Sequence, residues 1–100
     1  MELARRKLLT IVCEANLERE LGRDLLRLGA HGYTAIEAHG RGSRGERDAA
    51  WGPSANVRVE VVCDDAVAER IMQHVRAVYL AHYAVVMYLT DVEVLRPEKF

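Results

Sequence analysis

The segment Gly40-Arg41-Gly42-Ser43-Arg44, followed by Arg47, has the residue types that hold an anion. Gly40 and Gly42 lack a Cβ, so the backbone can approach a phosphate and turn its N–H groups toward it. Ser43 adds a hydroxyl donor, and Arg41, Arg44 and Arg47 add planar guanidinium forks that match phosphate oxygens. The string is not a Walker-type phosphate loop, which needs a lysine and a following helix. Taken alone it fits a flexible basic hairpin loop better than a phosphate site. His39 abuts it and is the histidine best placed to influence it.

Other chemistry-bearing residues are scattered. Trp51 is the only tryptophan, and an aromatic in such a loop is either a partner-binding anchor or folds back on its own assembly. His31, His39, His74 and His82 share no ligand spacing and read as solvated or locally bonded imidazoles, so no metal is expected. Cys13 and Cys63 each end an apolar run and read as small buried hydrophobes. They would sit on neighbouring strands, where the sulfurs could be close. Arg58 and Glu60 read as an ordinary cross-strand charge pair. No nucleophile elbow, metal motif or signature carboxylate pair is present, so no catalytic residue is assigned.

The elements that must position these residues follow from periodicity. Lys7–Cys13 is a short apolar run of strand type. Over Asn16–Leu28, Leu17, Leu21, Leu25 and Leu28 recur on one helical face, with Asn16 as cap and Gly29 as terminator. Tyr33–His39 reads as a second strand. Gly40–Ala55 then holds four glycines, one proline and three arginines with no apolar periodicity, a length that is usually functional or mobile. Asn56–Cys63 alternates, with Val57, Val59 and Val61 facing one way. Asp64 or Asp65 caps a second helix to about Tyr79, whose buried face is Ala68, Ile71, Val75 and Val78. Ala84–Leu89 is a further strand, Asp91–Leu95 an extension or fifth strand, and Pro97 stops pairing.

The order strand–helix–strand, long loop, strand–helix–strand is the α+β, ferredoxin-like βαββαβ arrangement, with both helices on one face of a four-stranded sheet. The other sheet face needs a cover, and a homotrimer would supply it. One hundred residues fit one domain, 1–100, with the loop at about 40–55. A formal net charge of -1 gives no bulk attraction to nucleic acid or anionic lipid. Arg5, Arg6 and Lys7 precede an apolar run too short for a signal core, and no stretch approaches membrane-spanning length, so a cytoplasmic location is expected.

At Gly29–Gly45 (GAHGYTAIEAHGRGSRG) the chain resembles the PII superfamily, where its second strand runs into the T-loop. Gly32-Tyr33-Thr34 and the Gly-basic-Gly-Ser-Arg start are most similar to the SbtB-like and carboxysome-associated PII branch. The run Val78–Leu95, with Tyr83-Ala84 before a final apolar strand, resembles it too. The chain departs from nitrogen-regulatory PII proteins in having Leu80-Ala81-His82-Tyr83 at the glycine- and lysine-rich B-loop position and no T-loop tyrosine. It also ends at Phe100 without the cysteine-bearing loop of some SbtB proteins, so a redox switch of that type is not expected.

The resemblance implies a signalling protein, not an enzyme, with an adenine nucleotide (AMP or ADP) as effector in clefts between subunits. Gly32, Tyr33 and Thr34 would lie near the adenine, and Gly40, Arg41, Gly42, Ser43, Arg44 and Arg47 would hold phosphates. Tyr83, Ala84 and Val85 would line the base or ribose, and Arg96 would add charge. The same arginines would suit bicarbonate as a second small anion beside the phosphates. The partner implied is a bicarbonate transporter or carboxysome component, with membrane association only through a transporter. The alternatives are a CutA-like trimeric metal-tolerance protein and a small nucleotide hydrolase on the same fold.

Overall fold

The computed structural model describes residues 1–42, 45–46 and 56–100. The chain runs β1 (Ala4–Glu14), a 3-10 turn (Ala15–Leu17), α1 (Glu18–Arg27), β2 (Thr34–Ala38), β3 (Arg41–Gly42), β4 (Gly45–Glu46), β5 (Asn56–Cys63), α2 (Asp65–Val78), β6 (Val86–Val94) and a second 3-10 turn (Pro97–Lys99). β1 is flanked on both sides. It pairs antiparallel with β5 from Lys7 opposite Cys63 to Glu14 opposite Asn56. On its other edge it pairs antiparallel with β6, from Ala4 opposite Val94 to Val12 opposite Val86. β2 joins β5, so the four-stranded sheet has the order β2-β5-β1-β6 and is the expected ferredoxin-like arrangement.

Alternation decides which face is buried. Leu9, Ile11 and Cys13 of β1 and Val57, Val59, Val61 and Cys63 of β5 point toward the helices and are buried. Leu17 of the 3-10 turn and Leu21 and Leu25 of α1 meet them, and Leu28 packs at the margin. On α2 the buried residues are Val67, Ala68, Ile71 and Val75, followed by Tyr79. Val78, expected in that stripe, is 43% exposed. It lies one residue short of the four-residue steps Ile71–Val75–Tyr79, which turns it away from the sheet.

The expected caps divide. Asp64 caps α2, its carboxylate accepting the Val67 N–H at 2.9 Å. Asn16 does not cap α1, because a 3-10 turn over Ala15–Leu17 carries the chain into the helix and no side chain caps it. Gly29 ends α1 as expected: its φ is +116°, its N–H bonds to Leu26 O, and the Ala30 N–H bonds to Leu25 O. This is a Schellman closure, with buried Ala30 at its apolar contact.

Several strand expectations change. β6 is one strand, Val86–Val94, rather than a strand with an extension or fifth partner. Pairing with β1 from Ala4 to Val12 carries it through polar Thr90 and Asp91, and Lys7 compensates Asp91 with an ion pair. Tyr83, Ala84 and Val85 precede the strand. The stretch expected to be irregular opens with a small ladder, Arg41 opposite Glu46 and Gly42 opposite Gly45. Cys13 and Cys63 do lie on neighbouring strands but six residues apart along the ladder, Cys13 opposite Val57 and Cys63 opposite Lys7. That is roughly 20 Å of strand, so the sulfurs are not close. Burial pushes the Cys63 thiol up to about 11. Arg58 and Glu60 do pair, Nε to Oε2 at 3.2 Å, along one strand and not across two.

Gly29 gives a direct stability test. A Cβ there would lie 3.1 Å from Val67 Cγ2 on α2, and the left-handed backbone is strained for any other residue. Gly29→Ala is expected to cost about 1–3 kcal/mol, read from urea denaturation.

Candidate functional site

β2 forms one edge of the sheet and delivers the chain into the Gly40–Arg44 segment. Thr34 lies opposite Glu60 on the face turned from the helices, and Glu60 in turn lies opposite Thr10 of β1. Tyr33 turns the other way. Its ring lies on α1 over Gly22, where a Cβ would fall 2.8 Å from Tyr33 Cζ. Only glycine at that helical position leaves room for the ring. Among the described residues a Cβ at Gly32 or Gly40 would meet nothing within 4 Å, and neither has a left-handed φ, so none of those residues demands glycine there. Arg41 and Gly42 form β3, while Ser43, Arg44, Arg47 and Trp51 lie outside the described residues.

The remaining assigned residues are at the opposite edge or the opposite end. Tyr83, Ala84 and Val85 lead into β6, at the same end of the sheet as the loop base but three strands away, about 14 Å. Thr34 and Ala38 are separated by roughly 13 Å along β2. Arg96 follows β6 at the other end. It adopts a left-handed backbone conformation, φ 57°, and its guanidinium is 3.9 Å from Glu98. The tail beyond it returns across that end of the sheet. Arg6 donates to the Pro97 carbonyl at 3.3 Å, and His31 Nδ1 lies 3.0 Å from the Lys99 carbonyl oxygen. The tail is thereby tied to the turn that precedes Gly32-Tyr33-Thr34. His31 is locally bonded, as expected.

Sequence reading missed a polar cluster between the helices. Asp24 Oδ2 accepts the Tyr79 hydroxyl at 2.6 Å and meets His74 Nε2 at 2.9 Å, while Arg27 stands 3.5 Å from Oδ1. Burial opposes the charge on Asp24, but the Tyr79 and His74 hydrogen bonds outweigh it and hold the carboxyl below its usual value of 3.8. Burial and the Asp24 contact push the Tyr79 hydroxyl well above its usual 10.0. One sequence signal existed: Asp24 is three residues from Leu21 and four from Leu28, so a carboxylate sits beside the leucine stripe. The partners on α2 carried none.

The sequence profile of the nitrogen regulatory protein P-II family matches residues 6–99. The chain belongs to the PII family. A Thermus thermophilus protein described as PII-like and signalling is 45% identical, with a TM-score of 0.86, over 100% of this chain and 99% of that one. CPII of Thiomonas intermedia, a nitrogen regulatory PII-like protein solved with ADP, AMP and bicarbonate, is 26% identical. That match has a TM-score of 0.84 and covers 99% of this chain and 96% of that one. The same protein bound to ADP and bicarbonate aligns with a TM-score of 0.89 at 23% identity, over 99% and 97% of the two chains, and adds the likeness of fold. PII proteins are signalling regulators rather than enzymes, which answers the hydrolase alternative, and the family match answers the CutA-like one. No helix among the described residues is long and apolar enough to cross a membrane.

The Asp24 cluster predicts the pH limits of this PII protein. Asp24 is held below 3.8, so its contribution is complete above that pH and is lost as pH falls through the lower folded value. Tyr79 is raised, so its contribution is complete below 10.0 and is lost as pH rises beyond it. Asp24→Asn is expected to be less stable at neutral pH and to flatten the acid limb of stability against pH, measured by urea denaturation across the acid range.

Proposed function

We propose that this PII protein senses adenine nucleotides, AMP or ADP, at clefts between the subunits of a homotrimer. The observation that carries this reading is the split of the assigned residues between two sheet edges. Thr34 lies in edge strand β2, Gly32, Tyr33 and Gly40 flank it and Arg41 follows in the small β3–β4 ladder, whereas Tyr83, Ala84 and Val85 lead into edge strand β6. Setting the β6 edge of one protomer beside the β2 edge of the next would pair both open edges. It would also bring the two groups to one ligand. The sheet face turned from the helices supports association, since Val86 is 47% and Tyr88 51% exposed there.

In the proposed site Thr34 and Tyr33 flank the adenine end of β2. Gly40, Arg41, Gly42, Ser43, Arg44 and Arg47 hold the phosphates, with open space at Gly40 for close approach. Tyr83, Ala84 and Val85 of the neighbour line the base or ribose, and Arg96 adds charge from the tail. Phosphate contacts would order the T-loop, about 40–55, and change the surface shown to a protein partner, with Trp51 as its anchor. ADP, AMP and bicarbonate bound to CPII support a role in inorganic-carbon handling, with bicarbonate as co-ligand. The partner class is then a bicarbonate transporter or carboxysome component, and the protein is cytoplasmic. It acts as one domain with no nucleic-acid partner.

Calorimetry with AMP, ADP, ATP and bicarbonate tests the reading. Wild type is expected to bind AMP or ADP, and Arg44→Ala to bind at least tenfold more weakly through loss of a charged phosphate contact. Absence of binding to any adenine nucleotide would overturn it. The shared cleft has its own test. Arg44→Ala and Tyr83→Ala protomers, each weak alone, should recover roughly a quarter of the wild-type sites when refolded together, because a site then draws its halves from different chains. Sedimentation should give a trimer, and Tyr88→Glu should dissociate it.

A further inference from the structure

The end of α2 is held in a way that apolar packing does not require. Tyr79 is 2% exposed, and its ring shares an apolar hollow with Ile11, Cys13, Leu21 and Val85. A phenylalanine would line that hollow equally well. Its hydroxyl instead donates to Asp24 on α1, and the same carboxylate oxygen meets His74, five residues earlier on α2. Keeping a carboxylate there costs desolvation, and an apolar side chain would satisfy packing without it.

The other end of Tyr79 organises the chain that follows. Its carbonyl accepts the N–H groups of both His82, at 3.1 Å, and Tyr83, at 3.0 Å. The Tyr83 carbonyl accepts the Val85 N–H at 3.0 Å, and the Tyr79 and Tyr83 rings lie 6.1 Å apart. One residue therefore joins a side-chain anchor on α1 to the backbone turn that ends in Val85. Fixing the depth of the Tyr79 ring fixes the height of that turn above the sheet.

We propose that Asp24 is a positioning residue for the Tyr83–Val85 segment, acting through the Tyr79 hydroxyl, and so for the base-binding half of the nucleotide cleft. This rests on the nucleotide reading above. The phosphate half starts from β2, at the edge of the sheet opposite β6, and the hydrogen bonds of Asp24 run to His74 and Tyr79 and not to β2. Disturbing the cluster should therefore weaken recognition of a nucleoside and leave recognition of bare phosphates intact. General loosening of the protein would weaken both.

The test compares ADP with inorganic pyrophosphate on wild type, Tyr79→Phe and Asp24→Ala, with thermal unfolding and backbone amide spectra as companion measurements. Tyr79→Phe removes one oxygen and keeps the ring, so it folds unless the hydroxyl is needed for folding itself. Asp24→Ala removes the acceptor from the other side. Both variants are expected to bind ADP roughly 3- to 10-fold more weakly, with pyrophosphate affinity within about twofold of wild type. Amide signals should move chiefly over residues 82–85. ADP affinity unchanged in both variants would overturn the proposal, as would parallel weakening of ADP and pyrophosphate. A wild type that binds no ADP fails the nucleotide reading. In that case amide signals that stay in place over 82–85 overturn the positioning claim as well, and signals that move uphold its structural part.

Discussion

Hydrogen bonding along both edges of β1 is the constraint on which the structure depends. β1 is the only strand in the sheet next to both β5 and β6, and its register with each is set over eight or more paired positions. Period-two alternation means that a one-residue slip would move Leu9, Ile11 and Cys13 from the helix side to the opposite face. The valines of β5 must keep the same phase, so the core and the register enforce each other. Once they are set, β2 and β6 are left as the two edges. The loop base and Tyr83–Val85 are then left about 14 Å apart at one end.

That separation shapes the functional reading. A ligand site split between two edges is incomplete in one protomer and becomes whole in a cyclic assembly. The same assembly would cover Val86 and Tyr88 and remove two unpaired edges. Assembly and ligand binding would therefore share one geometric cause. At the other end, contacts from Arg6 and His31 bring the tail back to the turn before Gly32.

The helices show how polar and apolar demands meet in a small core. The leucines of α1 and the valine–isoleucine stripe of α2 account for packing on the sheet. Asp24, His74 and Tyr79 add directional contacts between the helices, which apolar surfaces alone do not supply. Hydrophobic contact is tolerant of small slides, whereas a 2.6 Å hydroxyl–carboxylate bond is not.

Much of the fold was legible because it is written in local periodicity. The Leu17–Leu28 spacing, the Val57–Val61 alternation, Gly29 as terminator and Asp64 as cap each depend on neighbours within a few residues. Where a local rule had a competitor, it failed. Asn16 yielded to a 3-10 turn, Val78 to Tyr79, and the break expected before Asp91 to continuous pairing with β1. Gly40-Arg41-Gly42-Ser43-Arg44 and Gly32-Tyr33-Thr34 marked the family by residue type. By itself the sequence determined the order of elements, the core face and the family of this protein, since those follow from short-range spacing and residue chemistry. Only the tertiary structure decided which residues share an edge, that Cys13 and Cys63 lie far apart, and that Asp24 meets Tyr79. Those facts depend on register and helix docking across 50 or more residues, and no local pattern encodes them.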